Sequence, residues 1–180
     1  MGGKWLEVLK ETAPHLTRVV ALVHPETPSH QGFWQSTETA APRFGIEASA
    51  GGVHNAAEIE GVVRAFADKP NGGLIVFPHA VTNANTSLIT SLALRHRLPS
   101  VMAAAGTGSS GVLAYYGVDF LDSFRRTAEY ADRILRGEKP ADLPVQQPTK
   151  FKLVLNLKTA QAIGIDIPPI MLTRADEVIE

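Results

Sequence analysis

Apolar residues recur along this chain in two alternating rhythms. Arg18-Val19-Val20-Ala21-Leu22-Val23 and Gly73-Leu74-Ile75-Val76-Phe77 are short, nearly unbroken apolar runs bounded by turn residues, the pattern of strands buried on both faces. Between them, Phe33, Thr37, Ala40, Ala41 and Phe44 fall at helical spacing, and Gly45 stands where a left-handed cap is wanted. Ile46-Glu47-Ala48 opens a weaker second strand. Asn55 with Glu58 three residues on predicts a capped helix start, followed by a stripe of Ile59, Val62, Val63 and Phe66. The next helix is expected to start at Thr82 or Asn83, with Leu88, Ile89, Leu92 and His96 on its apolar face. Pro99 and a strand over 100–104 come next. Alternating strands and helices with short connections predict an α/β fold with a right-handed, doubly wound parallel sheet.

Beyond residue 104 the rhythm changes. Val112-Leu113-Ala114-Tyr115-Tyr116 reads as a strand, and Asp119 with Asp122 opens a helix over 119–136. Phe120, Phe124, Ala128, Ala131 and Leu135 make its apolar stripe, which must be buried somewhere. A proline-punctuated connector from Pro140 to Pro148 is incompatible with helix or central strand. A last strand over 152–155 and a short helix between Asn156 and Gly164 complete the chain.

Composition narrows the function classes. The 180 residues suffice for one well-buried domain but not for two full α/β lobes. A formal net charge of −1, without a basic stripe, gives no case for nucleic acid or an anionic membrane. Cysteine is absent, which excludes disulfides and thiolate metal sites. No apolar run approaches a membrane span, and no secretory signal is visible at the N-terminus.

Catalytic chemistry finds little support. Gly106-Thr107-Gly108-Ser109-Ser110-Gly111 matches a dinucleotide-binding pattern, but that loop must open directly into a helix, and strand-forming residues come after it. The acidic residue due about 20 positions on would be Asp132, deep in a helix. His24, His30, His54, His79 and His96 are scattered, so no metal site is expected. The loops at the strand carboxyl ends are more telling, because open α/β sheets bind ligands there. Pro25, Glu26 and Thr27 follow the first strand; Pro78, His79, Thr82 and Asn83 follow the third. With Tyr115, Tyr116 and Asp119, they are expected to border one cleft. Glu26 or Asp119 would pair with a ligand ammonium, and the Thr82-Asn83 helix start would hold its carboxylate.

The C-terminal third carries a long specific pattern: Tyr116-Gly117-Val118-Asp119, Arg125-Arg126, Ala131-Asp132-Arg133-Ile134-Leu135, Lys139 through Phe151, Asn156-Leu157-Lys158-Thr159-Ala160, Ile167-Pro168-Pro169 and Arg174-Ala175-Asp176-Glu177-Val178-Ile179. It resembles ABC-transporter substrate-binding proteins of the tryptophan/tyrosine type. Gly2 through Glu11, Arg18 to Pro25 and Arg95-His96-Arg97-Leu98-Pro99 extend the likeness, although the family's usual proline between Gly117 and Asp119 is Val118 here. The resemblance implies a type I periplasmic-binding-protein lobe with the first lobe largely missing. Residues 1–117 would form the second lobe, 118–149 would belong to or cross through the first, and 150–180 would return. It also implies a small amino-acid-like, aromatic solute, no cofactor, a membrane permease as partner and an extracytoplasmic location. Without the first lobe, the stripe of 119–136 predicts a homodimer with exchanged C-terminal elements. Competing readings are a nucleotide-dependent enzyme using Gly106 to Gly111, and a stand-alone sensory or interaction domain.

Overall fold

The computed structural model describes residues 1–103 and 111–180. Helix α1 (Gly2–Thr12) leads into β1 (Arg18–Val23), α2 (Pro28–Ala40), a 3-10 turn (Ala41–Phe44), β2 (Glu47–Gly52), α3 (Ala56–Ala67) and β3 (Gly72–Val76). Then come α4 (Ala80–Ala84), α5 (Thr86–Arg95), β4 (Ser100–Met102), β5 (Ala114–Val118) and α6 (Phe120–Leu135). A 3-10 turn (Pro140–Asp142), β6 (Phe151–Asn156), α7 (Leu157–Ile163), α8 (Pro169–Arg174) and β7 (Glu177–Ile179) complete the order. The strands form one sheet in the order β2-β1-β3-β4-β5-β6-β7. It is parallel throughout except that β6 runs antiparallel to β5, pairing Tyr116 with Leu153.

Local signals account for most boundaries. Asn55 caps α3 by accepting from the Glu58 amide, and Gly45 adopts φ 63 where the helical stretch stops. Asn156 caps α7 and Gly164, at φ 76, closes it. Residues Gly2–Thr12 form a helix that the strand–helix reading does not assign; Trp5, Leu6, Val8 and Leu9 are its buried face. The helix after the third strand begins a turn earlier than expected. His79 is the cap, its Nδ1 accepting from the Val81 amide while Thr82 Oγ1 accepts from the His79 amide.

Both sheet faces carry a core. On one, Trp5, Leu6, Leu9, Leu16, Phe77 and Leu155 pack with α1 and α2; Ile163 and Met171 join them. On the other, Ile59 and Val63 of α3 and Ile89 and Leu92 of α5 cover Leu22, Leu74 and Val76. The order in which strands are added reverses between β1, which connects to β2 on one side, and the parallel strand β3, which connects to β4 on the other. The crevice at the carboxyl ends of β1 and β3 is therefore the topological switch point.

Helix α6 stands apart. Its only buried residue is Asp122, bonded to Arg126 and Lys150. Phe120, Leu121, Phe124 and Leu135 are 54%, 68%, 69% and 87% exposed, so the stripe does not fold back onto its own sheet.

Candidate functional site

Three loops meet at the switch point. The β1–α2 loop brings His24, Pro25, Glu26 and Thr27; the β2–α3 loop brings His54; the β3–α4 loop brings Pro78 and His79. The His24 ring stacks on His79 with centroids 4.0 Å apart and meets His54 edge-on at 5.1 Å. His24 Nδ1 lies 3.2 Å from Glu26 Oε2, with the Thr27 hydroxyl at 3.3 Å.

His30, near the start of α2, fastens the first loop to the third. It is 2% exposed. Its Nδ1 accepts from the His24 amide at 2.8 Å, so its Nε2 carries the hydrogen donated to the Pro78 carbonyl at 3.2 Å. Burial holds its pKa below the usual histidine value, consistent with this neutral tautomer. Phe33 and Phe77 flank the ring.

His54 sits between two carboxylates. Its Nδ1 is 2.8 Å from Glu58 Oε2, and its Nε2 is 3.0 and 3.1 Å from the oxygens of Glu26. Hydrogen bonding first to Glu58 and then to Glu26 raises its pKa, and His54 in turn lowers both carboxylates. Histidines that are scattered along the chain thus converge in space, because parallel strands deliver every subsequent loop to the same edge.

Beside this polar cluster lies an apolar cavity of about 380 Å³, walled by Trp5, Phe33, Pro78, Val118, Phe120 and Phe151. Trp5 is 2% exposed, and its Nε1 donates to the Tyr116 carbonyl at 2.7 Å, where β4 no longer runs alongside β5. Gly117 also lines the cavity. A Cβ there would come within 1.7 Å of the Ala103 carbonyl oxygen, so only glycine fits this approach.

The residues expected at the cleft divide into groups. Glu26, Thr27 and His79 join the polar cluster, Pro78 walls the cavity, and Pro25 and Asn83 are exposed on their loop and helix. Tyr116 is half-buried and stacks on Phe151 at 5.9 Å. Asp119 caps α6, accepting from the amides of Leu121 and Asp122. Two expectations are corrected. Tyr115 is 2% exposed within the core of the opposite face, where burial pushes its phenol up to about 12. Thr82 is 1% exposed, and its hydroxyl reaches the Phe77 carbonyl at 2.8 Å, so it starts no helix open to a ligand carboxylate. The glycine-rich loop lies outside the described residues but for Gly111; among the described residues the next element is β5, not the helix a dinucleotide site needs. Trp5, Phe33, Phe120 and Phe151 escape selection from sequence because helical or strand packing explains each aromatic in isolation.

Comparison with known proteins agrees with this architecture. A tyrosine-binding protein of Clostridioides difficile (strain R20291) is 21% identical over 168 residues, covering 90% of this chain and 47% of that protein. A conserved domain protein from Vibrio cholerae O1 biovar El Tor superposes with a TM-score of 0.85 at 23% identity, covering 98% of this chain and 60% of its own. An ABC domain from Streptococcus pneumoniae, solved in complex with L-Trp, gives 0.84 at 25% identity, with coverage of 99% and 62%. The chain thus spans roughly half to three-fifths of the length of these relatives. Residues 3–179 match the family model of ABC transporter substrate binding proteins, and the chain belongs to that family.

Proposed function

We propose that this chain is the sheet-bearing lobe, with its crossing elements, of a two-lobe solute-binding protein serving an ABC importer, and that its solute is an aromatic amino acid. The observation carrying this reading is the pairing, at the switch point, of an aromatic-walled cavity of about 380 Å³ with a polar cluster of His24, Glu26, His54 and His79. Such a combination of apolar walls and a few convergent polar groups suits a small amphiphilic ligand. The tyrosine- and tryptophan-binding relatives support the aromatic choice. Glu26 is the group for the ligand ammonium, and the side chain would lie between Trp5, Phe33 and Phe120. The role is binding rather than catalysis, the partner a membrane permease, and the location extracytoplasmic.

Residues 1–117, 118–149 and 150–180 divide, in this reading, into lobe, crossing segment and return. The exposed stripe of α6 is the surface a second lobe would cover. If that lobe is absent in solution, a second copy takes its place, with exchange of the C-terminal elements. Because closure of both lobes supplies the full contact, the chain alone should bind weakly. Titration with L-tryptophan, L-tyrosine and L-lysine, monitored by NMR at the Trp5 indole, tests this. Saturable millimolar responses to the aromatic amino acids alone are expected. An equal response to lysine, binding of NAD instead, or no response at solubility would overturn the assignment; micromolar affinity would overturn the two-lobe argument.

A further inference from the structure

We infer that the switch-point loops form a site for a divalent transition-metal ion of the zinc class, held by His24, Glu26 and His54. A ring nitrogen of each histidine and a carboxylate oxygen of Glu26 all lie within 4.8 Å of one another. Around tetrahedral zinc, with bonds of about 2.0–2.2 Å, ligand atoms stand about 3.3–3.6 Å apart. Two of the three edges here are already close to that: Glu26 Oε2 lies 3.2 Å from His24 Nδ1 and 3.1 Å from His54 Nε2. Two imidazoles with one carboxylate suit zinc and its neighbours, whereas calcium and magnesium prefer oxygen ligands throughout.

The supporting groups strengthen the case beyond a chance cluster. Glu58 Oε2 takes the Nδ1 side of His54 at 2.8 Å, which leaves Nε2 facing Glu26; an ion binding there would displace the proton that Nε2 now donates to that carboxylate. This carboxylate–histidine relay is the arrangement that orients metal-bound imidazoles. Glu58 is itself held by the Asn55 amide group at 2.8 Å and the His54 backbone amide at 2.9 Å. The His24 ring is fixed by stacking on His79, and its backbone by the bond to His30. Three protein ligands leave a fourth position for water or for a donor atom of a bound molecule. The ion needs no amino acid to bind, but it would compete with a ligand ammonium for the Glu26 carboxylate.

Zinc titration of tag-free protein, by calorimetry and by competition with a chromogenic indicator, tests the inference without any solute. One ion per chain is expected, with affinity falling roughly ten-fold or more in each of His24→Ala, Glu26→Gln and His54→Ala, and also in Glu58→Gln. His15→Ala, on an exposed residue elsewhere, should leave affinity unchanged. Cobalt(II) should give the intense visible bands of a tetrahedral site, lost in His54→Ala. Circular dichroism of each variant separates loss of the site from loss of the fold. No zinc binding at millimolar ion, or affinity that survives both His54→Ala and Glu26→Gln in folded protein, would overturn the assignment.

Discussion

Replacing His30 by phenylalanine tests whether the switch-point loops are held by hydrogen bonding rather than by packing. The ring is almost fully buried and packs against Phe33 and Phe77, so phenylalanine keeps the aromatic surface. What it removes is the acceptor for the His24 amide at 2.8 Å and the donor to the Pro78 carbonyl at 3.2 Å. Each buried polar group left without a partner costs about 1–3 kcal/mol. Because both loops border solvent, the lower part of that range applies, and the two losses together should destabilise by about 2–4 kcal/mol. A typical domain has about 5–15 kcal/mol in all, so the change is large enough to measure. Guanidinium denaturation monitored by circular dichroism gives the shift in midpoint at constant slope. His30→Asn separates the causes. Its side-chain oxygen can still accept from the His24 amide although it fills less space, so it should be the milder variant. If His30→Phe lies within about 0.5 kcal/mol of wild type, or if His30→Asn is the more damaging, packing holds the loops and the reasoning fails.

The geometry also sets three other outcomes. Gly117→Ala drives a methyl group into the Ala103 backbone and should cost at least about 1–3 kcal/mol, read as a lowered melting temperature; an unchanged melting temperature would show that β5 can shift away. Hydrogen bonding to Lys150 holds the Asp122 pKa below the usual aspartate value. This carboxylate's contribution to stability should therefore be complete above that usual value and fade as pH falls through the lower folded one. An NMR titration of Asp122 that moves up in Lys150→Met confirms the cause, and one that does not move refutes it. Phe124→Ser, at a position 69% exposed, should leave monomer stability within about 0.5 kcal/mol. If the chain forms the proposed homodimer through α6, the substitution should reduce it in sedimentation; a dimer indifferent to the substitution would refute that contact.

The parallel half of the fold is legible in the sequence because its signals are local. Asn55 with Glu58, Gly45 and the run Gly73 to Phe77 each sit where a cap or a doubly buried strand requires them. Helix α1 is harder, since its apolar residues are recognisable as a packed face only once α2 lies against them. The His79 cap escapes notice because a ring nitrogen takes the place of the usual hydroxyl or carboxylate. Tyr115 and Tyr116 are adjacent, yet alternation along β5 sends one into each core. The histidine cluster is invisible for another reason: His24, His54 and His79 are separated by whole strand–helix units and share only a sheet edge.

The antiparallel pairing of β5 with β6 has a mechanical consequence. Both strands leave the sheet toward α6 at the same end, one outgoing and one returning, joined there by the bond from the Asp119 amide to the Lys150 carbonyl. Tension applied through α6 therefore pulls both strands the same way, and the hydrogen bonds between them are not sheared. The load passes to the flanking seams instead. On one side that seam is the short match of Val101 with Ala114 and Met102 with Tyr115; on the other it is the three-residue pairing of β6 with β7. Those seams, and not the β5–β6 ladder, set the force at which this edge of the sheet yields.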